Sequence, residues 1–523
     1  MMMGLCVGDI VRINARHYPN HVAVEQGDLR FTWRELDRRT NQLANGLLKL
    51  GLKKGDRIAI LSPNTLYYWE LFFGLAKSGV IGVPLNIRLH PNELVEYLNY
   101  TEPRALVAVP KLMETADRLM AEVPSLVRLV LLPGGTGGLA YEEVLSSGEA
   151  EAVPAEIAPD DVYMLCATSG TTGTTKAAMM THHNAVQAIQ TYLAEGMNVQ
   201  PGDTLLQVIP MYFNAGGPAS MFAFGKAGRG VILEDFTPEN FLRAVQAYRV
   251  THTILVPTML SMIVNHPDVE KYDVSTIKCT TTGGSPLAAS LLRRAREIFG
   301  NVFFPQYGMT ETYSCGLLLA RQDQHTDGPE HLTRRLNSIG KPHVGVDCRV
   351  VNADGLDVAW GSGEAGEIIL RGPTVFKGYW NLPEETANAL RDGWLYTGDV
   401  GTVDEEGYVY VVDRKKDIII TGGINVYSVE VEQVIASHPA VAMVAVIGVP
   451  DSQWGEAIKA CVVLKPGHTA TEDEIRQWCR DRLASYKKPK YVEFMAELPL
   501  SGTGKVLKRV LRDRHWAGRE RKV

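Results

Sequence analysis

At 523 residues the chain is too long for a single compact core, so two or more domains are expected. Its 45% hydrophobic and 21% charged residues are ordinary for a soluble globular protein. A net charge of −6 excludes a general attraction to nucleic acid or to anionic membrane; the exception is the Lys- and Arg-rich stretch from Lys505 onward, read as a solvated basic end or, alternatively, a contact to a polyphosphate.

Residues 1–7 are too short for the apolar core of a signal peptide. Thr32-Trp-Arg-Glu35 has the form of a capping box opening a helix, with Leu36, Leu43, Leu47 and Leu48 on its apolar face and Gly51 at its end. A strand is predicted at 57–61, a helix at 65–78 and a strand at 80–84, and the alternation continues at 94–99 and 105–109. The most apolar window, 67–85, is interrupted by Glu70 and Lys77, so it predicts no membrane span. Pro133-Gly-Gly-Thr-Gly-Gly138 reads as a surface loop.

A short buried strand at 163–167 runs into Thr168-Ser-Gly-Thr-Thr-Gly-Thr-Thr175 and then Lys176. Glycines let several backbone N–H groups point at one anion, hydroxyls add donors and the lysine adds charge, so this is a phosphate cradle by its chemistry. It is not a Walker loop, because Thr175 and Ala177 flank the lysine, and Gly170 and Gly173 do not have dinucleotide-fingerprint spacing. His182 and His183 read as structural residues near a helix start. Further strands are predicted at 205–209, 230–233, 253–256 and 278–282, with a helix at 286–298. Strands of this kind bring their carboxyl ends to one edge, where Pro210-Met-Tyr-Phe-Asn214, Thr282-Gly-Gly-Ser285 and Gln306-Tyr-Gly-Met-Thr-Glu311 would converge.

Short strands and tight turns at 340–413, such as 366–371 and 408–412, suggest a β-rich, barrel-like subdomain, ending at the charged break Asp413-Arg-Lys-Lys-Asp417. Strands at 443–449, 458–464 and 491–495 and a capped helix near Thr471-Glu-Asp-Glu474 complete a small α+β domain. The expected fold is therefore α/β: a large N-terminal domain of layered α/β subdomains, 1–413, and a small mobile α+β C-terminal domain, 414–523. Seven cysteines, scattered singly at 6, 166, 279, 315, 348, 461 and 479, suit a reducing, cytoplasmic setting.

Taken together, Thr168-Ser-Gly-Thr-Thr-Gly-Thr-Thr-Lys176, Gln306-Tyr-Gly-Met-Thr-Glu311, Tyr396-Thr-Gly-Asp399, Asp413-Arg-Lys-Lys-Asp417 with Gly422-Gly-Ile-Asn425, and Leu498-Pro-Leu-Ser-Gly-Thr-Gly-Lys505 resemble the adenylate-forming superfamily of acyl-CoA synthetases, luciferases and peptide-synthetase adenylation domains. The likeness spans roughly residues 8 to 512. It implies that a carboxylic acid attacks the α-phosphate of ATP, releasing pyrophosphate, and that a thiol, usually that of coenzyme A, then displaces AMP, with Mg2+ offsetting phosphate charge.

By that resemblance Thr168, Ser169, Gly170, Thr171, Thr172, Gly173, Thr174 and Lys176 hold the β- and γ-phosphates, Glu311 binds magnesium and Thr310 meets the α-phosphate. Gln306, Tyr307 and Gly308, with Gly283, Gly284 and Ser285, bracket the adenine. Asp399 takes the ribose hydroxyls, and Arg414 the ribose or phosphate region. Lys505 is the cation of adenylation, Lys416 an exposed hinge, and Gly422 and Gly423 line a pantetheine tunnel, with Trp454 either near coenzyme A or in a core. Tyr212, Phe213, Asn214, Tyr313 and Ser314 border the acyl pocket, and the apolar Phe213 points to a medium-chain, alicyclic or aryl acid. The alternatives are transfer to a carrier protein, amino-acid adenylation, which the neutral Asn214 disfavours, and a non-catalytic binder. An isologous dimer is the default assembly.

Overall fold

The computed structural model describes residues 4–153, 155–168, 175–285, 287–500 and 506–516. By contacts the chain divides into Met1–Asp347 with Leu370–Leu395, and Cys348–Ile369 with Tyr396–Val523.

The first unit holds two large sheets. One has seven strands in the order Leu139–Ala140, Arg128–Leu131, Ala105–Ala108, Arg57–Leu61, Ile81–Pro84, Val162–Thr168 and Lys176–Thr181. All neighbours are parallel except the last pair. The other has nine strands, in the order Lys341–Pro342, Leu317–Leu318, Phe303–Tyr307, Cys279–Thr282, His252–Leu255, Thr204–Gln207, Arg229–Ile232, Val22–Gln26 and Leu29–Thr32. Its centre is parallel and both flanks are antiparallel. Fully buried Val83, Leu106, Ala108 and Leu165 lie in one apolar cluster with Leu98 and Leu119 from neighbouring helices, as expected for parallel strands covered on both faces.

The capping box at Thr32 forms as expected: Glu35 N–H donates to Thr32 Oγ1, and Thr32 N–H donates to the Glu35 carboxylate. The helix Trp33–Lys49 packs on the helix Tyr67–Ser78. Trp33, Trp69 and Phe73 meet the Phe224 ring at 5.7, 5.1 and 5.7 Å in edge-on contacts, each worth about 0.5–1.5 kcal/mol beyond area burial. The two charges that interrupt the apolar window, buried Glu70 and half-buried Lys77, are both paired. Arg39 Nε lies 2.8 Å from Glu70 Oε1. Lys77 Nζ donates to Asp37, Thr40 and Asn41 at 2.7, 2.8 and 2.7 Å. Among the described residues no helix is long and apolar enough to cross a membrane.

His182 opens the helix His182–Tyr192, which Thr181 caps. Its Nδ1 accepts from the Val7 N–H at 3.3 Å, and burial lowers its pKa to about 4, so the ring is neutral and structural. The helix expected from 286 begins later, as Ala289–Phe299; Pro286 lies outside the described residues.

A smaller sheet, Asp347–Val351, Gly366–Arg371, Trp394–Val403 and Leu390–Arg391, with Val409–Arg414 on Trp394–Val403, forms the half-barrel. By contacts Val409–Arg414 groups with Cys348–Ile369 and with the C-terminal chain. Buried Asp413 accepts from the N–H groups of Arg414 and Ser428. The remaining sheet has Gly455–Leu464 at its centre, with Val441–Asp451 along one edge, over a core that includes Val431, Ile435, Ile475 and Cys479. The basic end is not simply solvated: in the helix Lys508–Trp516, Lys508 pairs with Glu432 and Arg512 with Asp417, each at 2.7 Å.

Candidate active site

In the nine-stranded sheet Thr204–Gln207, His252–Leu255, Cys279–Thr282 and Phe303–Tyr307 lie side by side and parallel. Their carboxyl ends open on one edge, the place where α/β proteins bind ligands. Close backbone approach explains two glycines there. A Cβ on Gly308 would come 2.3 Å from the Ser314 carbonyl oxygen, and one on Gly283 would come 2.9 Å from that of Gln306. Gly284, at φ +85°, takes the left-handed conformation that glycine adopts without penalty, and it leaves Ser285 exposed. Thr282 Oγ1 and Gln306 Oε1 are buried at this edge without a hydrogen-bond partner among the described residues. Orphaned buried polar atoms are uncommon and call for an explanation such as a ligand. Tyr307 and Thr310 are half-buried.

The chain turns sharply after this strand. Thr310–Thr312 makes one 3-10 turn, and Tyr313 and Ser314 follow at φ +55° and +64°. Two consecutive non-glycine residues in the left-handed region are held there by hydrogen bonds from Tyr313 N–H to Thr310 O and Ser314 N–H to Met309 O. The turn buries the Glu311 carboxyl, 6% exposed, and Tyr379 Oη donates to its Oε1 at 2.7 Å. Burial, reinforced by the Glu311 charge, pushes the Tyr379 phenol up, so it remains a donor. Tyr313 has no exposed surface; its hydroxyl meets that of Tyr163 and donates to the Pro218 carbonyl oxygen at 3.2 Å.

The ends of the hydroxyl-rich loop, Thr168 and Lys176, are cross-strand partners. Ser169, Gly170, Thr171, Thr172, Gly173 and Thr174, between them, lie outside the described residues. On its other side the strand Lys176–Thr181 meets residues 377–380, through Met179 N–H to Gly378 O, Lys377 N–H to Met179 O and Trp380 N–H to Ala177 O. That edge brings in Tyr379 and the helix Pro383–Ala389, neither of which the sequence singled out. Lys176 forms an ion pair with Glu385, and its Nζ lies 5.0 Å from the centre of the Tyr379 ring. A cavity of about 420 Å3 bordered by Met179, Tyr379, Leu382 and Thr386 adjoins this cluster.

After the strand Thr204–Gln207, Tyr212 and Phe213 pack ring to ring at 4.7 Å. Tyr212 is buried and Phe213 half-buried. Asn214, 4% exposed, donates through Nδ2 to Ser314 Oγ at 2.9 Å. No carboxylate stands at this position.

In the second unit Asp399 and Arg414 are partners across antiparallel strands, with Arg414 Nε 3.2 Å from Asp399 Oδ1. Lys416 is half-buried rather than exposed. Burial lowers its pKa to about 8, and Arg512 donates to its carbonyl oxygen at 3.2 Å. Gly422 and Gly423, at φ +58° and +80°, form the hairpin turn between Ile419–Thr421 and Ile424–Val426, a two-residue turn that favours glycine. Trp454 covers that turn: a Cβ on Gly422 would come 2.9 Å from Trp454 Cε3. At 50% exposure Trp454 is not a core residue. Lys505 lies outside the described residues.

The chain is similar to known proteins over most of its length. The AMP-binding enzyme family matches residues 11–380, and the AMP-binding enzyme C-terminal domain matches residues 430–505. Feruloyl-CoA synthase of an Amycolatopsis species is 39% identical over 501 residues, covering 96% of this chain and 97% of that protein. Fatty acid–[acyl-carrier-protein] ligase ScoC of Streptomyces coeruleorubidus is 33% identical over 513 residues, covering 98% and 96%. The structure of ATP-bound MatB from Rhodopseudomonas palustris superposes with a TM-score of 0.86 at 31% identity, covering 97% of this chain and 98% of that one. The chain belongs to the AMP-binding enzyme family, the adenylate-forming superfamily its motifs resemble, and is an AMP-forming acyl-CoA ligase family enzyme.

Proposed function

We propose that the protein activates an apolar carboxylic acid, of aryl, alicyclic or medium-chain type, with ATP and transfers the acyl group to coenzyme A. One observation carries this most directly: a buried carboxylate, Glu311, and a phosphate-loop cation, Lys176, share the ring of Tyr379 in the same unit as the loops Gly283-Gly284-Ser285 and Gln306-Tyr307-Gly308. The orphaned Thr282 Oγ1 and Gln306 Oε1 support a nucleotide at that edge, since adenine carries amino donors and ring acceptors.

A carboxylate is a poor acyl donor because oxide is a poor leaving group. Its oxygen attacks the α-phosphorus, the bond to pyrophosphate breaks, and the adenylate formed carries AMP as a good leaving group. The thiol sulfur then attacks the acyl carbon and AMP departs. Lys176 and the N–H and hydroxyl groups of the loop neutralise the departing pyrophosphate. Thr310 and Lys505 are assigned to the α-phosphate, and Asp399 with Arg414 to the ribose. A buried carboxylate is a hard oxygen ligand, so Glu311 would hold Mg2+, whose charge would offset that of the phosphates. Lys416 remains the proposed hinge, and Gly422, Gly423 and half-exposed Trp454 the proposed approach of the pantetheine arm.

The packed rings of Tyr212 and Phe213, the neutral Asn214 and the 39% identity to a feruloyl-CoA synthase favour an aryl acid. A carrier protein as thiol donor is the second reading, supported by the 33% identity to an acyl-carrier-protein ligase. Seven free cysteines support a cytoplasmic setting. The test is pyrophosphate release over benzoates, hydroxycinnamates, alicyclic acids, fatty acids of graded length and amino acids, followed by thioester formation with coenzyme A or a phosphopantetheinylated carrier. We expect aryl acids to lead and coenzyme A to suffice. Turnover on acetate or amino acids alone would refute the pocket assignment, and an absence of pyrophosphate with every acid would leave a binder.

A further inference from the structure

The cluster around Tyr379 contains a charge that the reaction described above does not use. Glu385 lies on the helix Pro383–Ala389, and its carboxylate pairs with Lys176. Its placement is built in rather than incidental. Thr386, the next residue, accepts through Oγ1 from the Tyr379 N–H at 2.9 Å and donates to Leu382 O at 2.9 Å. Gly378, at φ +131°, lets Thr386 approach so closely that a Cβ on it would come 2.6 Å from Thr386 Cγ2. Residues 377–380 are in turn hydrogen-bonded to the strand that begins at Lys176. The carboxylate and the ammonium are thus fixed on two elements clamped together, with the lysine side chain only 12% exposed and the glutamate 37%.

We propose that Glu385 is an exchangeable counter-ion: it holds Lys176 in the nucleotide-free enzyme, and the β- and γ-phosphates of ATP displace it. The proposal rests on Lys176 belonging to the pyrophosphate grip. A largely buried ammonium without a counter-charge is costly, so a carboxylate partner stabilises the free site. The same carboxylate beside an incoming polyanion is repelled, so the lysine changes partner when the triphosphate binds, and Glu385 turns to solvent. Glu385 is therefore a positioning residue: it touches neither the reacting carboxylate nor the α-phosphorus, and it sets the affinity of the site for the two phosphates that leave.

The test compares binding of Mg·ATP, pyrophosphate and AMP to the wild-type chain and to Glu385→Gln by calorimetry, with thermal unfolding as the control for folding. Removing the competing charge is expected to tighten Mg·ATP and pyrophosphate by about three- to ten-fold and to leave AMP, which lacks both outer phosphates, unchanged. Glu385→Asp, which keeps the charge on a shorter arm, should fall between the two. Weaker or unchanged ATP binding in Glu385→Gln, or an equal shift for AMP, would overturn the proposal while leaving ATP as cosubstrate. Failure of the wild-type chain to bind ATP would remove both.

Discussion

Tyr379 is a phenol whose burial and neighbouring carboxylate both oppose ionisation, so its hydroxyl donates to Glu311 throughout the physiological range. Nothing in the order of side chains around Gly378-Tyr-Trp-Asn381 advertised this contact. It depends on a bridge between Ala178 and Tyr379, two hundred residues apart in the chain and therefore invisible to local patterning. Glu311 was singled out by the motif Gln306-Tyr-Gly-Met-Thr-Glu311 and the resemblance it carries, whereas its partner Tyr379 was not. Tyr379→Phe should preserve the packing, cost about 1 kcal/mol of stability and remove one hydrogen bond that orients the Glu311 carboxylate. The expected result is a rise of about ten-fold in the Mg2+ concentration for half-maximal pyrophosphate release, with a smaller change in rate at saturating Mg2+. An unchanged Mg2+ dependence would separate Tyr379 from the metal site.

Elements were read well where periodicity was strong and poorly where composition misled. The strand Arg57–Leu61 and the capped helix Trp33–Lys49 fall where apolar spacing and the capping box put them. The strand Lys176–Thr181 went unassigned, because Ala177, Ala178, Met179 and Met180 favour helix, and only pairing on both edges makes them a strand. The helix Tyr67–Ser78 carries a testable consequence of its buried charge. Burial raises the Glu70 carboxyl from its ordinary 4.5 to about 7, against the opposing pull of Arg39. The folded-state value lies above the unfolded one, so the stability this group contributes is complete below about 4.5 and is lost as pH rises through 7. Wild-type stability should therefore fall between pH 5 and 8 by an amount on the order of 3 kcal/mol more than that of Glu70→Gln. Arg39→Met, which strands the carboxylate, should cost about 3–5 kcal/mol at pH 8 and less at pH 6, where the carboxyl protonates. Denaturant melts of the three proteins across that range are the measurement, and parallel pH profiles would exclude Glu70 as the titrating group.

At the scale of the molecule, the motifs fall in two units. The loop ends, Glu311 and the adenine-side residues belong to one, and Asp399, Arg414 and the chain leading to Lys505 belong to the other. If the second unit delivers Lys505 only for the first half-reaction, Lys505→Ala should abolish adenylate formation yet still convert supplied acyl-adenylate and coenzyme A to thioester. Equal loss of both steps, measured separately, would refute that division of labour. The cross-strand pairing of Thr168 with Lys176 has a different consequence. The ladder pins the ends of the loop, so lengthening it adds only the slowly growing entropy of loop closure, and stability tolerates what phosphate recognition does not. Two glycines inserted between Gly170 and Thr171 should shift Tm by no more than about 2 °C while weakening ATP binding at least about ten-fold. An insertion that left ATP affinity intact would mean that Lys176, rather than the register of the backbone donors, does the gripping. Under selection, such a segment would be free to vary in length as far as folding is concerned, and held to one length by its ligand.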